Sequence, residues 1–240
     1  MSRALRHGSA ALTAAVFVAL GTYAWRGWFA RYVTDDFCTA SVLREKGFFG
    51  ILPYHRLAWS GRYAYYQLKA IPESIGPGTA QVMPALMIAF FCAAAIWTMR
   101  RWLGETPRLA ILTGATIAYA AIDATPEVLA IGGPLVWETG TVTYMLPLIL
   151  YTLWAGLFFG GGSARARWIG SFVLMFVAGG LSETSLAAQC AATGAFMVVM
   201  LLGRWREASR IAMTGFAASL IALLLVASAP GNEVRMRRLP

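Results

Sequence analysis

The feature that most constrains this chain is a series of seven apolar runs, separated by short connections that carry charged residues or Gly and Pro. A membrane-spanning helix needs about 20 mostly apolar residues. Hydrophobic residues make up 58% of the chain and charged residues only 13%, so a soluble domain would lack the polar surface to cover itself. We therefore predict one all-α, polytopic transmembrane domain over residues 1–240, with about seven spans. The predicted spans are residues 9–28, 79–99, 109–122, 142–159, 168–181, 186–202 and 211–228.

The distribution of charge predicts the orientation of these spans. Ten arginines and two acids fall in the connections at one end of the predicted bundle, while the other nine acids fall at the other end. The positive-inside rule makes the arginine-rich end, and with it the N-terminus, cytoplasmic. The same rule accounts for the net charge of +9 without nucleic acid as a partner.

The N-terminal residues also resemble a secretory signal, because Arg3 and Arg6 precede an apolar stretch. The apolar run continues to Trp28, which favours a retained span. Both alternatives leave the acidic pair Asp35 and Asp36 on the external side.

The first external connection, residues 29–78, is long and is predicted to hold two short helices in the membrane interface. Residues 36–46 have an acidic start and good helix formers, with Gly47 as a stop. Residues 59–71 place a row of aromatic residues on one face and end at Pro72.

Basic residues accompany these two predicted helices. Arg56 and Arg62 are candidates to bind phosphate or anionic lipid headgroups, although basic side chains at an interface commonly just extend toward water. Lys69 is interpreted in that second way, as a cation at the membrane surface. His55 is interpreted as an ordinary interfacial histidine rather than a proton shuttle.

Asp35 and Asp36 are the candidates for a general base. Adjacent like charges raise the pKa of one partner, which suits proton transfer. The alternative is that Thr34 or Asp35 caps the following helix and Asp36 complements its dipole. A third possible role of the pair is to bind a divalent metal ion through oxygen ligands. Two carboxylates are too few for a complete site, so no metal ligand is assigned.

Four further residues fall on the same predicted external face. Glu138 and Glu183 each stand at the end of an apolar run, where a charge is costly unless it is paired or faces a wet cavity. Asn232 and Arg235 follow a Pro-Gly turn signal, and a guanidinium is suited to bind a phosphate or pyrophosphate. Transfer from a phosphate-activated sugar needs a base for the acceptor hydroxyl and cations for the departing phosphate.

These residues belong to four blocks that span nearly the whole chain. The blocks are Asp35-Asp36-Phe37, Trp59-Ser60-Gly61-Arg62-Tyr63, Trp137-Glu138-Thr139-Gly140 and Pro230-Gly231-Asn232-Glu233-Val234-Arg235. In order and spacing they resemble a group of bacterial polytopic proteins within the GT-C class of integral-membrane glycosyltransferases.

The resemblance implies that Asp35 or Asp36 activates the acceptor and that the donor is a polyprenyl-phosphate sugar. The residues that we predict to contact the substrates are Arg56, Trp59, Arg62, Tyr63, Trp137, Glu138, Glu183, Asn232 and Arg235. It further implies a multi-pass protein of the bacterial cytoplasmic membrane, an external envelope glycan or lipid as acceptor, and a donor groove covered by the two interfacial helices. Members of the class usually have more than seven spans, and this chain stops in an external segment just after its last block. We therefore expect it to be the N-terminal part of a longer protein.

Two other functions are compatible with the sequence. A transporter or flippase of lipid-linked saccharides needs ionisable groups near the bilayer midplane, whereas here the apolar runs are almost free of charge. A noncatalytic membrane subunit would use small residues such as Gly179 and Gly215 for close helix contacts, which serve contacts within one chain equally well.

Overall fold

The computed structural model describes residues 3–104, 107–125, 133–159 and 161–238, and these residues form helices without a β-strand. The all-α class is therefore confirmed. With residues 138–156 counted as one helix, the described residues form ten helices: α1 (Arg3–Gly27), α2 (Asp35–Ala58), α3 (Tyr63–Ile75), α4 (Thr79–Leu103), α5 (Pro107–Asp123), α6 (Glu138–Gly140, the π-helical turn Thr141–Met145, and Leu146–Gly156), α7 (Ala164–Gly179), α8 (Glu183–Leu202), α9 (Arg206–Ala227) and α10 (Pro230–Arg238).

Four helices are long and apolar enough to cross a membrane: His7–Gly27 within α1, then α4, α8 and α9. They coincide with the first, second, sixth and seventh predicted spans, which supports a membrane protein. The third to fifth predicted spans coincide with shorter elements, namely the 17 residues of α5, the 11 residues that end α6, and the 16 residues of α7. The seven-span arrangement stays a prediction.

The long helices form two groups. In the first group α1, α4, α5 and α6 pack around one apolar core, to which Leu20, Phe91, Ala118 and Val142 each contribute a buried side chain. Burial of such side chains is the main favourable term in forming the group from its separate helices.

The second group consists of α7, α8 and α9, and buried polar side chains link its helices. The Gln189 side-chain amide on α8 donates to the Met175 carbonyl of α7 at 2.7 Å and to Ser219 Oγ of α9 at 2.8 Å. A contact between α6 and α7 joins the two groups, and there Trp154 Nε1 donates to Ser171 Oγ at 2.8 Å. The buried Gln189 amide and the Trp154 indole thus each have an acceptor on a neighbouring helix.

Three helices lie together at one end of the bundle. Helix α2 follows the end of α1, α3 leads into α4, and α10 follows α9; α2 contacts both α3 and α10. Much of the predicted external connection is thus helical: α2 extends beyond the predicted helix 36–46, and α3 is shifted relative to the predicted helix 59–71. The C-terminal block reaches this end through α10.

Of the two predicted helix stops, Gly47 does interrupt the helical geometry of α2, whereas Pro72 lies inside α3. Gly47 has φ 72° and ψ 173°, which breaks the helical geometry, and the chain then resumes a helix that buries Ile51. Gly tolerates this positive φ without steric cost. Helix α3 continues past Pro72, whose carbonyl accepts from the Gly76 backbone N–H at 3.2 Å. The helical segment after Gly47 was not predicted, and α3 begins and ends about four residues later than the predicted helix 59–71.

Candidate functional site

A buried ammonium lies at the centre of the three-helix end. Lys69 Nζ of α3 is 3.0 Å from Asp36 Oδ1, 2.8 Å from Glu73 Oε1 and 2.9 Å from Glu138 Oε1, and all four side chains are fully buried. These four residues are called the Lys69 cluster below. The interpretation of Lys69 as a cation at the membrane surface is wrong, because its ammonium points inward to three carboxylates.

Hydroxyl and backbone groups complete the Lys69 cluster. Asp36 Oδ1 accepts from the Thr139 backbone N–H at 3.0 Å and from Thr139 Oγ1 at 2.7 Å. Thr39 Oγ1 donates to Glu73, and Thr79 Oγ1 donates to Glu138 Oε2 at 3.4 Å. The first and third sequence blocks, more than a hundred residues apart, therefore meet through direct hydrogen bonds.

The charges of the Lys69 cluster do not balance. Three carboxylates against one ammonium leave a formal charge of −2 when all are ionised. Burial raises the pKa of Glu73 and of Glu138, and Lys69 only partly offsets this effect. Burial of Lys69 opposes its charged form, but the surrounding carboxylates outweigh burial and raise the pKa of its ammonium. The cluster is thus a negative centre that favours retention of protons.

Asp35 and Asp36 occupy different environments. Asp36 is buried, and its Oδ2 accepts from the Val33 backbone N–H at 3.0 Å. Asp35 is exposed at the first position of α2. Of the two predicted bases, only Asp35 is open to an incoming molecule, while Asp36 holds the start of α2 against Thr139.

The start of α2 is strained at Thr34, which has φ 37° and ψ −99° and makes no capping hydrogen bond through its side chain. The capping role suggested for Thr34 is therefore wrong. A β-branched residue at positive φ costs about 1–3 kcal/mol. Asp36 holds this conformation through hydrogen bonds to Val33, before the turn, and to Thr139 of α6. This turn sets the position of the neighbouring Asp35.

A second ionic group joins three different parts of the chain. Arg62 Nε donates to Glu183 Oε2 at 2.5 Å, and Arg235 contacts Glu183 Oε1 at 3.1 Å. The three side chains, called the Arg62 cluster below, are 27%, 27% and 23% exposed for Arg62, Glu183 and Arg235. Two guanidiniums against one carboxylate leave a formal charge of +1 at a surface that water reaches.

Close backbone contacts join the second and fourth blocks. A Cβ at Gly231 would lie 2.5 Å from the Trp59 backbone nitrogen, and a Cβ at Gly61 would collide with the carbonyl oxygen of Val226. Only glycine allows these approaches. Gly61 and Gly231 therefore bring Arg62 and Arg235 to the same carboxylate.

Several predicted substrate contacts are already engaged within the protein. Arg56 donates to the Leu225 carbonyl at 2.9 Å and to Ser228 Oγ at 3.2 Å, which ties α2 to the end of α9. Tyr63 donates to the Phe176 carbonyl, and the Asn232 side-chain amide donates to the Val226 carbonyl. These bonds give the residues a positioning role in the structure.

The two tryptophans of the blocks differ in exposure. Trp59 is 43% exposed, whereas Trp137 is half-buried and its ring covers Gly140. An exposed indole at this end offers an apolar surface with a polar edge, as residues at membrane interfaces commonly do.

Helix α3 connects the two ionic groups. Arg62 immediately precedes α3 and Lys69 lies seven residues further on, a separation of about 10 Å along a helix. Between them, the guanidinium carbon of Arg62 lies 6.0 Å from the centre of the Tyr65 ring, and the Tyr65 hydroxyl donates to Thr139 Oγ1 at 3.1 Å. All four blocks are therefore linked through α3, as two clusters of opposite charge.

His55 belongs to the packing of this region. Its ring stacks on Tyr66 with centroids 3.9 Å apart, and burial lowers the pKa of His55 to about 4. The imidazole is therefore neutral near pH 7 and contributes stacking.

Sequence reasoning missed the partners of Asp36. Lys69 and Glu73 are one helical turn apart, a spacing that brings side chains together, so this pair had a readable signal. Thr39 had no such signal, and Thr139 was present in the third block without an assigned role, because the contacts of both depend on how distant helices pack. In the part of the chain that the structure describes, no group of three His, Cys, Asp or Glu side chains is arranged to hold a metal ion.

The fold and these contacts define an all-helical membrane protein with an ionic site at one end of the bundle, built by four separated sequence blocks. Comparisons with family models, with curated proteins and with solved structures gave no match to this chain.

Proposed function

We propose that this protein is a membrane glycosyltransferase that moves a sugar from a polyprenyl-phosphate carrier to an envelope glycan or lipid at the external face of the bacterial cytoplasmic membrane. The observation that carries the proposal is the pair of oppositely charged clusters at the two ends of one α3 segment. A glycosyl transfer develops positive charge on the sugar and negative charge on its leaving group, so it needs both signs within one site.

The Arg62 cluster supplies the positive end. Arg62 and Arg235 share one carboxylate, which leaves one positive charge and unused N–H donors. Arginine binds phosphate through two parallel hydrogen bonds, and this geometry suits a departing lipid phosphate. Glu183 keeps both guanidiniums in place before the donor arrives.

Asp35 supplies the base. In the proposed step its carboxylate takes the proton of the acceptor hydroxyl, the acceptor oxygen bonds to the anomeric carbon, and the bond from that carbon to the phosphate oxygen breaks. The electron pair leaves with the polyprenyl phosphate, whose charge the arginines neutralise. The buried negative charge of the Lys69 cluster, next to Asp35 in the chain, favours the positive charge that develops on the sugar.

The test is transfer of a radiolabelled sugar from a panel of polyprenyl-phosphate sugars in membranes that contain the protein. Asp35→Asn should lower the rate by about 10²–10⁴-fold, which is the usual contribution of a general base. The matched control is Glu45→Gln, since Glu45 is an exposed acid of the same helix that pairs only with Lys46.

Equal rates for Asp35→Asn and Glu45→Gln would remove Asp35 from the mechanism. Movement of the intact lipid-linked saccharide across vesicle membranes, without cleavage of the sugar–phosphate bond, would replace the proposal with transport.

A further inference from the structure

A second region of interest lies at the opposite end of α1. A cavity of about 630 Å³ opens between the first half of α1 and the start of α5. Its His7 end is about 30 Å from the end of α1 that leads to the Lys69 cluster, because α1 extends twenty residues from His7 to Gly27. The residues that line it are His7, Ser9, Ala10, Thr13, Ala14, Phe17, Arg108 and Ile111.

The lining changes from basic and polar to apolar along α1. On α1 His7 lines the cavity ten residues before Phe17, and on α5 Arg108 lines it one helical turn before Ile111. Ten residues of α1, from 7 to 17, cover about 15 Å. A ligand that fills this space has an anionic group at one end and a hydrocarbon portion at the other.

Arg108 provides the charge at the basic end of the cavity. Arg108 is exposed, and no side chain in the described ranges forms an ion pair with it. A neighbouring cavity lined by Arg100 and Arg101 differs, because Arg101 already donates to the carbonyls of Phe159 and Gly161 at 2.7 and 3.0 Å. Among the described residues Arg108 has no hydrogen-bond or ion-pair partner, so its guanidinium donors are open to a ligand.

The position of α1 indicates that the ligand comes from the bilayer. Only 11% of the apolar window of α1 is buried within the protein, so most of this helix is left for contact with lipid. Arg3 and Arg6 add positive charge to the same end of the chain. Basic residues at the ends of membrane helices attract anionic lipids.

We propose that this cavity binds one anionic phospholipid, with the phosphate at Arg108 and His7 and an acyl chain along Phe17 and Ile111. A zwitterionic lipid has the same acyl chains, but its neutral headgroup is attracted less strongly to Arg108 and His7. The site is distinct from the proposed transfer site and does not depend on glycosyltransferase activity.

The experiment uses the full chain reconstituted in vesicles with equal amounts of phosphatidylglycerol and phosphatidylcholine, followed by native mass spectrometry of the released protein with its bound lipid. Wild-type protein should retain about five times more phosphatidylglycerol than phosphatidylcholine, because one basic residue near the surface favours an anionic lipid by a free energy that corresponds to about this ratio. Arg108→Gln should abolish the preference. Ala10→Phe, which fills the cavity without a change of charge, should lower retention of both lipids.

The matched control is Arg206→Gln, because Arg206 is exposed at the start of α9 and does not line the cavity. It should retain both lipids as the wild type does. Equal retention of the two lipids by the wild type, or the same loss in Arg206→Gln as in Arg108→Gln, would overturn the proposal. Displacement of the lipid by millimolar inorganic phosphate would likewise overturn it, since a small anion would then be the ligand.

Discussion

Removal of the Lys69 charge is the most direct test of the ionic site. Lys69→Met keeps an unbranched side chain of similar length and takes the ammonium away from three buried carboxylates. The variant leaves Asp36, Glu73 and Glu138 close together with no internal cation among them. We expect a large loss of stability, because like charges repel and burial prevents water from solvating them.

The magnitude follows from the distances around Lys69. Two unit charges about 3 Å apart attract by about 5 kcal/mol at an effective dielectric constant of about 20, and desolvation of the ammonium offsets part of the three attractions. Loss of one partner from a buried ion pair typically costs about 3–5 kcal/mol. For a chain of this size each kcal/mol lowers the melting temperature by about 2–4 °C, so Lys69→Met should lower it by roughly 10 °C.

The loss should depend on pH in a definite direction. The folded pKa values of Glu73 and Glu138 lie above the ordinary value of 4.5, and removal of Lys69 raises them further. The folded state then binds more protons than the unfolded state, so stability falls as the pH rises above that ordinary value. The difference in folding stability between wild type and Lys69→Met should therefore become smaller as the pH is lowered from about 7.5 to about 5.5.

Thermal unfolding of purified protein in detergent, at a series of pH values, measures both effects. Lys46→Met is the control, since Lys46 is an exposed lysine paired with Glu45, and its melting temperature should match the wild type. A Lys69→Met protein as stable as wild type at neutral pH, with no pH dependence of the difference, would refute the account of the Lys69 cluster.

Three further predictions address phosphate binding by Arg235, the close backbone contact at Gly231, and the orientation of the chain in the membrane. Arg235→Gln should lower kcat/KM for the lipid-phosphate donor about tenfold or more, since charge-assisted hydrogen bonds to phosphate contribute about 1.5–3 kcal/mol, while Arg237→Gln, at an exposed pair, should have no effect. Gly231→Ala should destabilise the protein by about 1–3 kcal/mol through overpacking, whereas Gly78→Ala, with open space around the new methyl group, should not; thermal unfolding compares the two. Cys38, which is exposed, should react with a membrane-impermeant maleimide in intact cells, and labelling only after lysis would reverse the predicted orientation.

Much of the helical framework could be predicted because long apolar runs separated by charged turns leave a chain few alternatives. Four predicted spans recur as helices long enough to cross a membrane. The bounds of α2 and α3 were predicted less well. Gly47 interrupts the helical geometry as predicted, but a second helical segment that buries Ile51 follows it directly, and α3 continues past Pro72.

The candidate site could be predicted in part. The polar residues of the four blocks do gather at one end of the bundle. Glu138 and Glu183 each have a basic partner, as we expected because an unpaired charge at the end of an apolar run is unfavourable. Lys69 could not be assigned correctly, because a lysine between aromatic residues has the same local sequence whether it points to water or inward. The direction of its side chain is decided by Asp36 and Glu138, whose positions depend on tertiary packing.

The tie between α10 and the rest of the Arg62 cluster has a consequence for biosynthesis. A ribosome releases Arg62 and Glu183 long before Arg235, so the nascent chain first holds a simple pair, one positive and one negative. The second guanidinium arrives only after α9 has been inserted and Gly231 has docked beside Trp59. The net positive charge of the Arg62 cluster is therefore established only once α10 has docked, later than the pairing of Arg62 with Glu183.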